Sequence, residues 1–365
     1  MKFTVNKRTF TDAIKNVSSV IKNNTALPVL QNVLLRADDF DNNKIYLVAD
    51  NLEQRISVTI EADIQESGSI TLPAKKLLSV ISKTNCGEIE ISTDDNYHAD
   101  LNCGTAKIKI FGIKPEDFPD SPEDSYIDTV MISSSALNDL LKKGGYCFSP
   151  SDARKVLSGI CLEISGGEIY AVSTDGRRLA MAKALLNNSS HPTKQYIIPV
   201  AAMNLLNAIT SKNIILRMGT KSLSITSDNI VICSKLIEGA FPNWRQVIPQ
   251  KSNNNIKINS GVFLSRIDLV SSMTSDTPSV ELKFSSDQLF FECQSAESGH
   301  ISDSMELENS VVNDLQFKLN PLYCQAAVKA GGVEEFVFSV NEPFSPMLLN
   351  FGDDACAVIM PIRSK

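Results

Sequence analysis

The chain has 365 residues, too many for one comfortable core, so two or three domains are expected. Its net charge of −7 and pI near 5.2 exclude a uniformly basic nucleic-acid coat, though not a local basic surface. Eight scattered cysteines without a Cys-x-x-Cys pair, no signal-peptide pattern after Met1, and no apolar run near the roughly 18 residues that span a bilayer point to a cytoplasmic, membrane-free chain with reduced thiols.

Taken in order, the first element is a helix over 6–22. Phe10, Ile14, Val17 and Ile21 fall on one stripe, while Arg8, Lys15 and Lys22, seven apart, fall on another. Strands rich in Val, Ile, Leu and Thr follow over 29–37, 44–50 and 54–62. Next comes a cassette, Ile70-Thr71-Leu72-Pro73, running into an amphipathic helix over 73–84, with the proline expected in the first helical turn. Strands over 88–92, 97–103 and 106–111 complete the segment, and Phe118-Pro119 with acids and serines to Asp124 reads as a joint.

The same order then recurs. Helices are expected over 132–145, 199–212, 259–272 and 320–330, and strands over 159–164, 168–172, 178–184, 214–218, 222–226, 230–236, 280–284, 288–293, 335–340, 347–351 and 355–362. Pro73, Pro199 and Pro321 are 126 and 122 apart, Val5, Ile132 and Ile258 are 127 and 126 apart, and the two Phe-Pro pairs at Pro119 and Pro242 are 123 apart. Independent markers agreeing on one period indicate a duplicated folded unit. The expected class is α+β, three repeats over 1–121, 128–247 and 255–365, each built from two βαβββ units.

Signs of catalysis are sparse. No phosphate-binding glycine loop, dinucleotide fingerprint or His-Glu-x-x-His motif occurs. His98, His191 and His300 are isolated, and the pairs Asp38-Asp39, Asp94-Asp95 and Asp353-Asp354 lie where aspartate serves turns. No catalytic residue, metal site or cofactor is expected. The charge distribution is more informative: the six predicted helices carry twelve basic residues against three acidic ones, leaving the acid to the rest of the chain. Repeated units with helices inside and sheets outside can close into a ring with a cationic bore, suited to a polyanion gripped by its phosphates. The rivals are a metal-dependent nucleic-acid enzyme using the aspartate pairs and a repeat scaffold binding only protein.

Several segments, in order from end to end, resemble one family. They are Met1-Lys2-Phe3-Thr4-Val5, Leu27-Pro28-Val29-Leu30, Ser173-Thr174-Asp175-Gly176-Arg177-Arg178-Leu179-Ala180, Glu238-Gly239-Ala240-Phe241-Pro242-Asn243-Trp244-Arg245 and Val358-Ile359-Met360-Pro361-Ile362-Arg363. The set is similar to the bacterial sliding clamps, the β subunits of DNA polymerase III. The resemblance implies a non-catalytic head-to-tail homodimer, closed as a ring around double-stranded DNA of any sequence. It implies partners as well: the polymerase α subunit, the clamp loader and other proteins with a clamp-binding motif. By motif match their peptides would dock on Leu157, Thr174, Gly176, Arg177, Arg178, Leu179, Pro242, Val247, Tyr323, Phe344, Pro346, Val358, Met360, Pro361 and Ile362. DNA would be faced by Arg8, Lys15, Lys22, Lys76, Lys83, Lys142 and Arg154, and the subunits would meet through Ile108 and Ile110 against Leu269 and Val270. The chain departs from the family at Arg177, where a histidine is usual, at Gln246 and Asn24, where arginines are, at Lys155 and Val156, and in its Ser364-Lys365 tail.

Overall fold

The structure is a computed structural model describing residues 1–22, 24–38, 43–121, 125–186, 192–209, 211–274, 278–295, 299–308 and 314–362. Asp39, the end of the first joint at 122–124, His191, Arg363 and the Ser364-Lys365 tail lie outside the described residues.

Six βαβββ units follow one another. The first is β1 (Lys2–Asn6), α1 (Lys7–Ser18), β2 (Asn32–Ala37), β3 (Lys44–Asp50) and β4 (Gln54–Glu61), with an added strand β5 (Asp63–Glu66). The second is β6 (Gly68–Pro73), α2 (Ala74–Lys83), β7 (Glu88–Thr93), β8 (His98–Cys103) and β9 (Ala106–Phe111). The third is β10 (Tyr126–Ser133), α3 (Ser134–Gly144), β11 (Gly159–Ser165), β12 (Glu168–Thr174) and β13 (Arg178–Leu185). The fourth is β14 (Lys194–Pro199), α4 (Val200–Asn204), β15 (Asn213–Gly219), β16 (Ser222–Ser227) and β17 (Ile230–Lys235). The fifth is β18 (Asn254–Asn259), α5 (Ser260–Ser271), β19 (Val280–Phe284), β20 (Gln288–Ser295) and β21 (Gly299–Glu306). The sixth is β22 (Leu315–Leu319), α6 (Pro321–Gly331), β23 (Glu335–Val340), β24 (Met347–Asn350) and β25 (Ala355–Ile359).

The units work in pairs and trade their first strands. β6 joins β2–β4, while β1 joins β7–β9; β14 and β10, then β22 and β18, repeat the exchange. Neighbouring repeats then share sheets, because β17 pairs with β4 and β13 with β25, both antiparallel. Two eight-stranded sheets result, β10-β15-β16-β17-β4-β3-β2-β6 and β14-β11-β12-β13-β25-β24-β23-β18. This is why the chain divides into two compact units, Met1–Ser134 with Ala201–Leu236, and Ser135–Val200 with Ile237–Lys365. The middle repeat contributes one half to each.

Several local expectations are corrected. Helix α1 ends at Ser18 rather than 22, leaving Lys22 outside it. The helix expected over 199–212 is α4 of five residues plus a 3₁₀ turn at Leu205–Ala208. Of the three cassette prolines only Pro321 lies inside the first helical turn; Pro73, the N-cap of α2, and Pro199, just before α4, are the last residues of β6 and β14, paired with Asn32 and Gly159. Both strands are sheet edges, where a missing N–H costs no ladder bond. Asparagine supplies the caps: Asn6 accepts from Arg8 and Thr9, Asn259 from Val262, and Asn320 from Leu322.

The thiols also differ from expectation. Cys86 and Cys103 form a disulfide, joining the connector after α2 to the end of β8, with Cα atoms 5.6 Å apart. Their spacing of 17 residues gives no motif, and only antiparallel pairing of β7 with β8 brings them together. Cys147, Cys161, Cys293, Cys324 and Cys356 are free and buried, and Cys233 is free and partly exposed. Among the described residues no helix is long and apolar enough to cross a membrane.

Candidate functional site

The Thr174–Leu179 turn is built by its own side chains. Asp175 Oδ1 accepts the N–H groups of Arg177 and Arg178 at 2.9 and 3.0 Å. Thr174 Oγ1 accepts from Gly176 N at 3.1 Å and donates to the Arg178 carbonyl at 2.6 Å. Gly176 sits at φ 84°, a left-handed position that favours glycine. A Cβ there would also lie 3.1 Å from the Arg154 guanidinium. The turn thus aims Arg178: its Nε donates to Asp175 Oδ2 at 3.0 Å, and its guanidinium lies over the Tyr323 ring, 4.5 Å from the centroid.

Register brings the C-terminal strand alongside. Leu179 pairs with Val358 and Arg178 with Ile359, and the Met360 N–H continues the ladder to the Arg177 carbonyl at 2.9 Å. Leu157, Leu179 and Val358 are buried in one apolar cluster with Phe241 and Trp244, so they form a floor rather than a rim. Val247, Phe344 and Ile362 are exposed by 41%, 57% and 37%, and Pro242 is exposed as well. Met360, Pro361, Tyr323 and Pro346 are half-buried. Pro346 precedes Met347, which pairs with Ile359, and so shares the strand end that carries Met360. Sequence reasoning missed Trp244 and Arg245 as parts of this site, although they adjoin Pro242 in the quoted segment. The assembly offers an apolar floor, exposed apolar edges and two arginines, Arg177 exposed and Arg178 half-buried.

Arg154, expected to face DNA, is exposed and pairs with Asp152 through Nε and Nη2, both at 3.0 Å, beside Gly176. The Arg154 side chain first, and then its backbone N–H, hold the Asp152 carboxyl down at about 2.

The remaining cations expected to face DNA are on helices, except for Lys22. In the first unit, α1 exposes Arg8, Asp12 and Lys15 while burying Phe10, Ile14 and Val17. Helix α2 packs on α1 and exposes Lys76 and Lys83 above buried Leu77 and Ile81. Lys22 is exposed beyond the end of α1, and in the second of the two compact units Lys142 is exposed on α3. With the true helix ends, the six α-helices hold ten basic residues and three acidic ones, so the excess survives the loss of Lys22 and Lys212.

Two interface expectations need correcting. Ile110 is 5% exposed and Val270 0%, each packed in the core of its own unit, so neither has surface to offer. Ile108 is half-buried and Leu269 is 48% exposed. Phe111, missed in the sequence, is 67% exposed on β9, an edge strand. Helix α5 packs on β21, itself an edge strand, with Arg266 bonded to Asp303 at 3.0 Å.

Of the aspartate pairs, the one at Asp94 serves a turn, while Asp38 pairs with Arg36. Asp94 accepts N–H groups from Asn96 and His98 at 3.0 and 2.8 Å. Among the described residues no group of three metal-ligating side chains occurs.

Comparisons with known proteins cover the whole chain. The DNA polymerase III beta subunit N-terminal domain model matches residues 1–122, the central domain model 131–243 and the C-terminal domain model 245–363. The chain is 26% identical over 381 residues to the beta sliding clamp of Staphylococcus aureus strain Mu50, covering 100% of both. It is 25% identical over 366 residues to that of Chlamydia muridarum, covering 100% of this chain and 99% of that one. Among solved structures, the DNA polymerase III subunit beta of Pseudomonas aeruginosa is 24% identical with a TM-score of 0.95, each chain covered at 100%.

Proposed function

The chain belongs to the DNA polymerase III beta subunit family, and on that premise we propose that two copies close head to tail into a ring around duplex DNA. As a processivity clamp it has no reaction of its own. It keeps the replicative polymerase at its template by raising effective concentration, not by gripping DNA tightly. The three repeats, 1–121, 128–247 and 255–365, give six similar domains per ring, with helices lining the bore and sheets outside. Arg8, Lys15, Lys22, Lys76, Lys83 and Lys142 meet phosphates without reading bases, which permits sliding. Such a protein works in the cytoplasm beside the chromosome.

Partners dock in the site built around Arg178, Tyr323 and Met360. Short motifs from the polymerase α subunit, the clamp loader and other clamp-binding proteins place apolar side chains over Leu157, Leu179 and Val358, between Pro242, Val247, Phe344, Pro346, Pro361 and Ile362. Thr174, Gly176 and Arg177 supply the polar edge. The subunit contact sets the β9 edge, with Ile108 and Phe111, against α5 at Leu269 and the β21 edge, removing two exposed strand edges.

The observation that carries this reading is the match of all three family domains, in order, over residues 1–363. The test loads the protein onto closed circular DNA with a clamp loader and then cuts the circle. Retention on the circle and escape from the cut ends are expected. Charge reversal of Lys15, Lys76 and Lys83 should reduce loading at physiological salt. Equal retention before and after cutting would refute a topological link.

A further inference from the structure

We infer that Glu163 is a positioning residue for the partner-peptide site, acting through the only tryptophan in the chain, Trp244. The inference rests on the docking role proposed above.

Glu163 lies in β11, which pairs with β12 on one side and β14 on the other. It is 0% exposed, a position where a carboxylate without donors is strongly disfavoured. Here it has three. Trp244 Nε1 donates to Oε2 at 3.1 Å, Gln195 Nε2 to Oε2 at 2.7 Å, and Arg245 Nη1 to Oε1 at 2.5 Å. Gln195 is the cross-strand neighbour of Glu163 in β14, so the sheet itself supplies one donor. The other two come from the 3₁₀ turn Trp244–Gln246, far away in sequence.

Arg245 is then fixed from several directions. Its guanidinium lies 4.0 Å from the Trp244 ring centroid and 5.0 Å from that of Tyr170, the cross-strand neighbour of Glu163 in β12. The Tyr170 hydroxyl donates to Glu168, which also accepts from Lys183 at 3.0 Å. Trp244 meanwhile packs in the cluster that contains Leu157, Leu179 and Val358. The turn so anchored has exposed Pro242 two residues before it and exposed Val247 immediately after it. Glu163 has no surface of its own to present to a peptide. What it does is lock the turn whose ends form one wall of the site, so that binding need not order that wall.

The test measures binding of a labelled peptide bearing the clamp-binding motif of the polymerase α subunit from the same organism. In Glu163→Gln the amide oxygen can still accept from Trp244, but the charge-assisted bond to Arg245 is gone. Peptide affinity should fall about tenfold, the effect of losing one such bond from an ordered wall. Trp244 emission in the free protein should shift to the red, while solution mass and retention on circular DNA stay unchanged. A peptide affinity equal to wild type in a folded Glu163→Gln protein overturns the inference. If that variant does not fold, Arg245→Gln removes the same pair from its exposed side, and the same two outcomes decide. Met360→Ala with Pro361→Ala, measured alongside, separates the two ideas: peptide binding unaffected there would overturn the site itself.

Discussion

At the scale of single residues, the proposed docking site divides into a floor and a rim with different costs of substitution. Leu157, Leu179 and Val358 are core side chains, so truncating them would unsettle the fold before it reported on binding. Met360 and Pro361 are half-buried, and the one hydrogen bond that places Met360 is a backbone bond to the Arg177 carbonyl. Replacing both by alanine leaves that bond intact and removes only apolar contact. Peptide affinity should weaken by about 2 kcal/mol or more, as for truncation of a buried anchor pair, with no change in thermal midpoint. Fluorescence anisotropy and a melt on the same sample check both halves. The ordered motifs named these positions, but not their burial, because burial depends on β13 pairing with β25 across nearly 180 residues of chain. Arg154 shows the same limit. The sequence supplies a cation, and only the fold sets it against Asp152 and Gly176.

At the scale of elements, periodicity located most strands and all six helices, and several strand ranges coincide with the observed ones, such as 44–50 and 106–111. The exceptions have physical reasons. β21 (Gly-His-Ile-Ser-Asp-Ser-Met-Glu) is polar because it is an edge, so no apolar alternation announces it. The cassette prolines are expected in the first helical turn, yet two of them end strands one residue before α2 and α4, since a strand edge tolerates a missing donor as well as a first helical turn does. The Cys86–Cys103 link carries a prediction at this scale. It ties the connector after α2, the helix bearing Lys76 and Lys83, to the turn before edge strand β9. Closing a loop of this length constrains the unfolded chain by about 3 kcal/mol. Denaturant unfolding of the oxidised protein should therefore lie about 2–4 kcal/mol above that of the reduced protein. Cys86→Ser should match the reduced value and be indifferent to reductant. A reductant-sensitive Cys86→Ser protein, or equal stabilities with and without reductant, would show that the link does not brace the first sheet.

At the scale of the whole molecule, three agreeing periods made the duplication readable, but they suggested three bodies in a row. Strand exchange and sheet sharing are pairings between segments that no periodicity marks, and they are what merge the middle repeat into its neighbours. Each eight-stranded sheet that spans two repeats removes two strand edges, one from each repeat, yet β9 and β21 remain as edges of smaller sheets. The proposed subunit contact would add strands at β9, which exposes Phe111, and at β21, which packs against the helix that exposes Leu269. The burial of Ile110 and Val270 decides how that contact is to be tested, since a charge there would break a core and mimic dissociation by unfolding. Aspartate at Ile108 or Leu269 instead puts an unpaired charge into the proposed contact while sparing the fold. Each variant should sediment at the mass of one chain and melt close to wild type. Each should still bind the partner peptide, because the Arg178–Tyr323 site lies within one chain. Both should be lost from closed circular DNA, since an opened ring has no topological hold even with every lysine in place. Dimeric mass in both variants would move the subunit contact away from these strands, and retention on circles by a monomer would mean that cationic surface alone, rather than enclosure, holds the DNA.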